Sequence, residues 1–253
     1  IYIHAEVSEG RKQAMESYGA TVIRVNGNYD ESVRQAAKDA GERGWHIVSD
    51  TSYPGYTDLP RQVMAGYGLM VDEVLDQLPP DKLPTHVFVQ GGVGGLAAAV
   101  CARFWQRLAE SRPRTIIVEP DQADCLYRSA LYQKPVAVHI TQESIMAGLS
   151  CGEVSQLAWD VLHSGANDFI TIEDSLIGPT MRVLAGGLGG AAPMVGGESG
   201  VAGLAALIAV GADPSLAAGL GLDATRQVLL LGTEGATDPE IYLKLVGRAP
   251  DAV

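Results

Sequence analysis

The sequence predicts an α/β fold, with parallel sheets and flanking helices arranged in two lobes, and three observations carry that prediction. Short apolar strands alternate with amphipathic helices along the chain, the rhythm of βαβ units. A strand over 86–90 runs into Gly91-Gly92-Val93-Gly94-Gly95 and then into a helix start lined with small residues. Upstream of that strand, Ser52-Tyr53-Pro54-Gly55-Tyr56 marks a change of composition that reads as a crossing between lobes.

Ile1 to Ala5 reads as the first strand, and Ser8 is placed to cap a helix over 9–18. Gly19 ends that helix by accepting a left-handed conformation. Residues 20–25 alternate as a second strand, and Asn26-Gly27-Asn28 is turn chemistry. A helix over 29–41 follows, with Asp30 as its cap and Gly44 just past its end, and 46–49 is predicted as a third short strand. Beyond the crossing, 59–78 forms a long amphipathic helix stopped by Pro79-Pro80. The remaining expected elements are strand 86–90, helix 96–110, strand 114–118, strand 168–172, helix 174–184, helix 200–210 and strand 227–231. Residues 1–55 are assigned to part of a smaller lobe and 56–253 to most of a larger one.

Composition removes several function classes. A formal net charge of -12 argues against a nucleic-acid partner, because phosphate contacts need clustered Lys and Arg. The longest apolar runs, such as 201–210, are too short to span a bilayer, and because the sequence opens on a strand no signal peptide is expected. Cys101, Cys125 and Cys151 stand far apart, which fits free thiols in a reducing cytoplasm. The five histidines have no metal-ligand spacing, so no metal site is expected.

Three segments could carry chemistry. The 91–95 loop lets backbone N–H groups approach an anion closely, and the helix that follows adds its positive end. A phosphate fits there without any Lys or Arg; the plainer alternative is a close helix-on-sheet turn. Gly196-Gly197-Glu198-Ser199-Gly200 is a second glycine-rich loop opening a helix. Leu231-Gly232-Thr233-Glu234-Gly235 places polar residues just after a strand, where α/β proteins bind ligands.

Taken in order with Ile117-Val118-Glu119-Pro120, these segments resemble fold-type-II pyridoxal-phosphate enzymes, the tryptophan-synthase-β-like superfamily. Asp50-Thr51 with Gly55-Tyr56-Thr57, the 145–153 stretch (IMAGLSCGE), Met181-Arg182-Val183-Leu184 and 233–239 (TEGATDP) narrow the resemblance to diaminopropionate ammonia-lyases. That resemblance implies pyridoxal 5'-phosphate as cofactor, a small amino-acid substrate and a homodimer. It implies that the amides of Gly91, Gly92, Val93, Gly94 and Gly95 hold the cofactor phosphate, and that a hydroxyl near Thr233 meets the pyridine nitrogen. Gly232 stands where the related lyases carry Ser, which leaves Thr233 as the nearest hydroxyl. Asp50 matches an active-site aspartate, a base or substrate-amine anchor, and Glu198 is expected to orient the cofactor or its loop. The implied reaction is α,β-elimination of 2,3-diaminopropionate to pyruvate and ammonia. A serine/threonine dehydratase, a cysteine-synthase-like enzyme and a non-catalytic phosphate-ligand module are the alternatives.

These enzymes tether the cofactor to a lysine in a short motif. Lys12, Lys38, Lys82, Lys134 and Lys244 all read as surface residues outside any such motif. The chain is therefore expected to be a C-terminal portion of a longer protein whose upstream part carries that lysine, and to be inactive by itself.

Overall fold

The computed structural model describes residues 1–253, and its strands form two separate parallel sheets. The first pairs β1 (Tyr2–His4) with β2 (Ile23–Val25), joined through helix α1 (Glu9–Ser17). The second has the order β5-β4-β3-β6, built from β3 (His86–Gln90), β4 (Arg114–Pro120), β5 (Asp168–Ile172) and β6 (Val228–Leu230).

The period-two alternation of the central strands builds two cores. Phe88, Ile116 and Val118 face one side of the larger sheet, against α7 (Ile177–Gly186), α8 (Ala202–Ala212) and α10 (Pro239–Val246). Val87, Val89 and Ile117 face the other, against α3 (Asp58–Gln77), α4 (Gly95–Leu108) and α6 (Gln156–Gly165). Every residue of β3 is buried, as a strand covered on both faces requires. The small residues of α8 let it sit close on the sheet: a Cβ on Gly203 would come within 2.9 Å of the Phe88 carbonyl oxygen.

Four expectations about elements need correction. Residues 46–49 are not a strand, because no strand lies beside them; the Tyr56 hydroxyl instead accepts from the Ser49 amide at 3.1 Å and donates to the Ile47 carbonyl at 2.9 Å. The cap of α2 (Tyr29–Arg43) is Asn28, not Asp30. Asn28 and Glu31 form a reciprocal capping box, and Asp30 turns inward. The expected helix over 174–184 splits into a 3-10 turn (Asp174–Leu176) and α7. Helices α5 (Cys125–Tyr132), α6, α9 (Pro214–Leu220) and α10 were not expected at all.

The two sheets are tied together by polar contacts at their junction. Arg34 of α2 donates to Glu153 at 2.8 Å, and the Ser52 amide donates to the Ser155 hydroxyl at 3.0 Å. Arg11 of α1 reaches Glu198 at 3.0 Å.

Candidate active site

A cavity of about 760 Å³ opens at the carboxyl ends of β3 and β6, between the two sheets. Ends of parallel strands are where open α/β sheets bind ligands. Asp50, Gln90, Gly91, Val93, Gly95 and Thr233 all line it, together with Tyr29, Tyr67, Cys151, Ser199 and Glu234.

The glycine loop is shaped by what lies beneath it. The Gly91 amide continues the sheet, donating to the Val118 carbonyl at 2.8 Å. A Cβ at Gly91 would stand 2.7 Å from Glu119 Cγ, so the loop rests directly on that side chain. Gly92 and Gly94 have φ of +67° and +97°, a region that L side chains rarely adopt. No side chain caps the start of α4, and the amides of Gly92, Gly94 and Gly95 donate to no protein group. The Val93 amide points at the Cys151 thiol. The expectation of five free amides is thus corrected at Gly91, whose N–H is spent in the sheet. What remains is an uncapped helix N-terminus with open donors, the arrangement that receives a phosphate.

Asp50 stands above this helix start. Its Oδ2 lies 3.6 Å from where a Cβ of Gly95 would be. Burial raises its pKa above the ordinary aspartate value, against hydrogen bonds from its own amide and the Thr51 hydroxyl. Thr51 is in turn held by the Tyr29 hydroxyl at 2.7 Å. A carboxylate shifted toward neutral pH is better suited to accept a proton from carbon than an ordinary one.

Thr233 approaches from the opposite wall. The Gln90 amide nitrogen donates to the Leu231 carbonyl at 2.9 Å and to Thr233 Oγ1 at 2.6 Å. With its oxygen occupied as an acceptor, the Thr233 hydroxyl has its proton free to donate into the cavity. A Cβ at Gly232 would meet nothing within 4 Å, so a serine would fit there.

Glu198 does not line the cavity. The residue is only 1% exposed, and its carboxylate turns to Arg11, while Oε1 has no partner. Glu234, which was not singled out, does the work at the second glycine loop. Its Oε2 accepts from the Ser199 amide at 2.6 Å and the Gly200 amide at 3.1 Å. Ser199 then accepts the Gly148 amide at 3.0 Å, which holds the 147–149 turn against the cavity. Ser150 faces inward to the Ser144 amide, and Cys151 alone of that pair lines the cavity, buried and with its thiol pKa pushed far up by desolvation. None of the five lysines reaches the cavity.

Beneath the loop, Glu119 is fully enclosed. It accepts from the amides of Leu126 at 3.0 Å and Tyr127 at 2.7 Å, which favour its charged form, but burial wins and lifts its pKa to about 8. The folded state therefore holds a proton that the unfolded chain, at 4.5, releases. This contribution to stability is full below pH 4.5 and is lost as pH rises toward 8. Glu119→Gln should flatten the fall of stability across that window in urea titrations at several pH values. A slope equal to that of the parent would show that Glu119 is charged in the folded protein.

A family model described as pyridoxal-phosphate dependent enzyme matches residues 1–231. The chain belongs to that family. It is 38% identical over its whole length to diaminopropionate ammonia-lyase of Escherichia coli strain K12, and spans 65% of that protein. A crystal structure of the E. coli lyase in complex with an aminoacrylate-PLP azomethine reaction intermediate superposes with a TM-score of 0.90, covering 97% of this chain and 64% of that one. Maize serine racemase, 20% identical with a TM-score of 0.71 over 92% of this chain and 65% of its own, shares the fold. The family's cofactor, pyridoxal phosphate, fits what the cavity offers: open amides at an uncapped helix, a hydroxyl with its proton free, and a desolvated carboxylate beside the helix start. No single helix is long and apolar enough to cross a membrane.

Proposed function

We propose that this chain is the greater part of a lyase that eliminates the β-amino group of 2,3-diaminopropionate, releasing pyruvate and two molecules of ammonia after hydrolysis. The observation that carries this reading is the convergence of Asp50, the uncapped helix start at Gly95 and the Gln90–Thr233 pair on one cavity. The amides of Gly92, Gly94 and Gly95 hold the phosphate, and the Thr233 hydroxyl donates to the pyridine nitrogen. Gln90 orients that hydroxyl, so the ring nitrogen meets a neutral donor rather than a carboxylate. When bound, the cofactor supplies an electron sink for the pair released as the substrate Cα–H bond breaks. Asp50 takes that proton, and its raised pKa makes it a stronger base than an ordinary aspartate. Glu198 acts at one remove, holding Arg11 against the second glycine loop.

The choice of substrate within the family rests on the 38% identity to the E. coli lyase along the whole chain. Residues 1–55 belong on this reading to the smaller lobe and 56–253 to the larger, cofactor-binding one. The protein works as a homodimer in a reducing cytoplasm, in keeping with three buried cysteines that are all free. Pyruvate release by the full-length protein from diaminopropionate, serine and threonine is the test. Turnover of the diamine well above that of both hydroxy amino acids is expected; comparable or faster turnover of serine or threonine would replace the lyase with a dehydratase.

A further inference from the structure

A second cavity, of about 640 Å³, lies at the junction of the two lobes, and its lining differs in character from that of the first. The two share a thin wall. Asp50 and Cys151 line the main cavity, while Thr51 and Glu153, one and two positions further along the chain, line the second. Three carboxylates, Asp30, Glu153 and Asp160, face the second cavity, with the rings of Trp159 and Tyr53 beside them. Arg34 is the one cation in its lining, and it is already committed to Glu31 and to Glu153 at 2.8 Å.

Asp30 is the most unusual of these groups. It is 8% exposed, and the Gly152 backbone N–H is the one hydrogen-bond donor turned toward it. A Cβ at Gly152 would stand 2.6 Å from Asp30 Oδ2, so the carboxylate is packed against that backbone. Burial and the nearby Glu153 charge raise its pKa to about 6, with Arg34 opposing them. At neutral pH it is a buried anion without a cation of its own, a costly arrangement that a bound positive charge would relieve. An ammonium placed beside an aromatic face gains a further attraction from the ring.

We propose that this second cavity binds a small organic ammonium ion with an apolar body, its charge at Asp30 and Glu153 and its body against Trp159 and Tyr53. The volume is that of an ordinary small-molecule pocket. The inference does not depend on the lyase reading, since it uses no residue of the cofactor site.

Benzylammonium is a suitable probe, with benzyl alcohol and benzoate as neutral and anionic molecules of the same shape. Calorimetry and tryptophan emission on the full-length protein should show saturable binding of one benzylammonium, roughly tenfold weaker binding of the alcohol, as loss of a charged hydrogen bond implies, and none of benzoate. Asp30→Asn and Glu153→Gln should each weaken benzylammonium several-fold. Glu153 is largely exposed, so its variant decides the matter even if Asp30→Asn fails to fold. Saturating pyridoxine 5'-phosphate, which lacks a reactive aldehyde, should leave the amine bound. Equal affinity for the alcohol, parent-like affinity in Glu153→Gln, or displacement by the pyridoxine phosphate would each overturn the proposal, the last by placing the amine in the main cavity.

Discussion

Replacing Asp50 with Asn in the full-length protein should lower turnover of 2,3-diaminopropionate by roughly 10²–10⁴-fold, the range for loss of a positioned general base. The cofactor's phosphate and ring contacts lie on other elements, so its binding should change little. Asn keeps the shape of the carboxylate but carries no charge and cannot take a proton. Steady-state kinetics should therefore show kcat falling while the affinity for cofactor, read by fluorescence titration, stays near that of the parent. Because burial raises the Asp50 pKa, the acid limb of the parent's kcat profile should lie above the pH of an ordinary aspartate, and it should vanish in the variant. Retention of more than about a tenth of parental kcat would remove Asp50 from the role of principal base.

The second large effect belongs to stability. Arg11→Met should cost about 3–5 kcal/mol, because it leaves the almost fully enclosed Glu198 carboxylate without its counter-ion. Arg11 also donates to Thr237 at 3.2 Å and lies 3.8 Å from Glu234, so one guanidinium serves three groups. Adding Glu198→Gln to Arg11→Met should recover part of the loss, since the stranded charge is then gone. Urea denaturation of the two variants and the parent measures both steps. A loss below about 1 kcal/mol in Arg11→Met would mean that the pair behaves as a surface ion pair.

How far the sequence reveals this molecule depends on whether the deciding partners are local. Strand 86–90 is legible because burial on both faces leaves an unbroken apolar run, and α4 because glycines open it and small residues line it. Residues 46–49 have the β-branched composition of a strand, but a strand also needs a neighbour, and none lies beside Ile47 and Val48. Helices such as α5, with its mixed CLYRSALY sequence, are too short to show a clear period.

The site follows the same division. A glycine loop between strand and helix announces itself, and Asp50 could be named once a family resemblance was in hand. Gln90 could not, because it looks like the last residue of a buried strand, and its partner Thr233 lies 143 positions away. The inward turn of Glu198 was hidden for the same reason: Arg11 is 187 residues distant in the chain. Only the acidic residue at the loop was visible, and between Glu198 and Glu234 the sequence offered no means of choosing which one braces the loop.

That long reach also bears on how the protein is made. Helix α1 leaves the ribosome long before the side chains that receive Arg11, which belong to positions 198, 234 and 237. Until those are synthesised, the guanidinium has only water for company and the first helix has no permanent seat. Chains dominated by such distant contacts fold slowly and leave intermediates exposed. The seating of α1 is therefore completed late, and interruption of synthesis before residue 198 should leave α1 open to proteolysis.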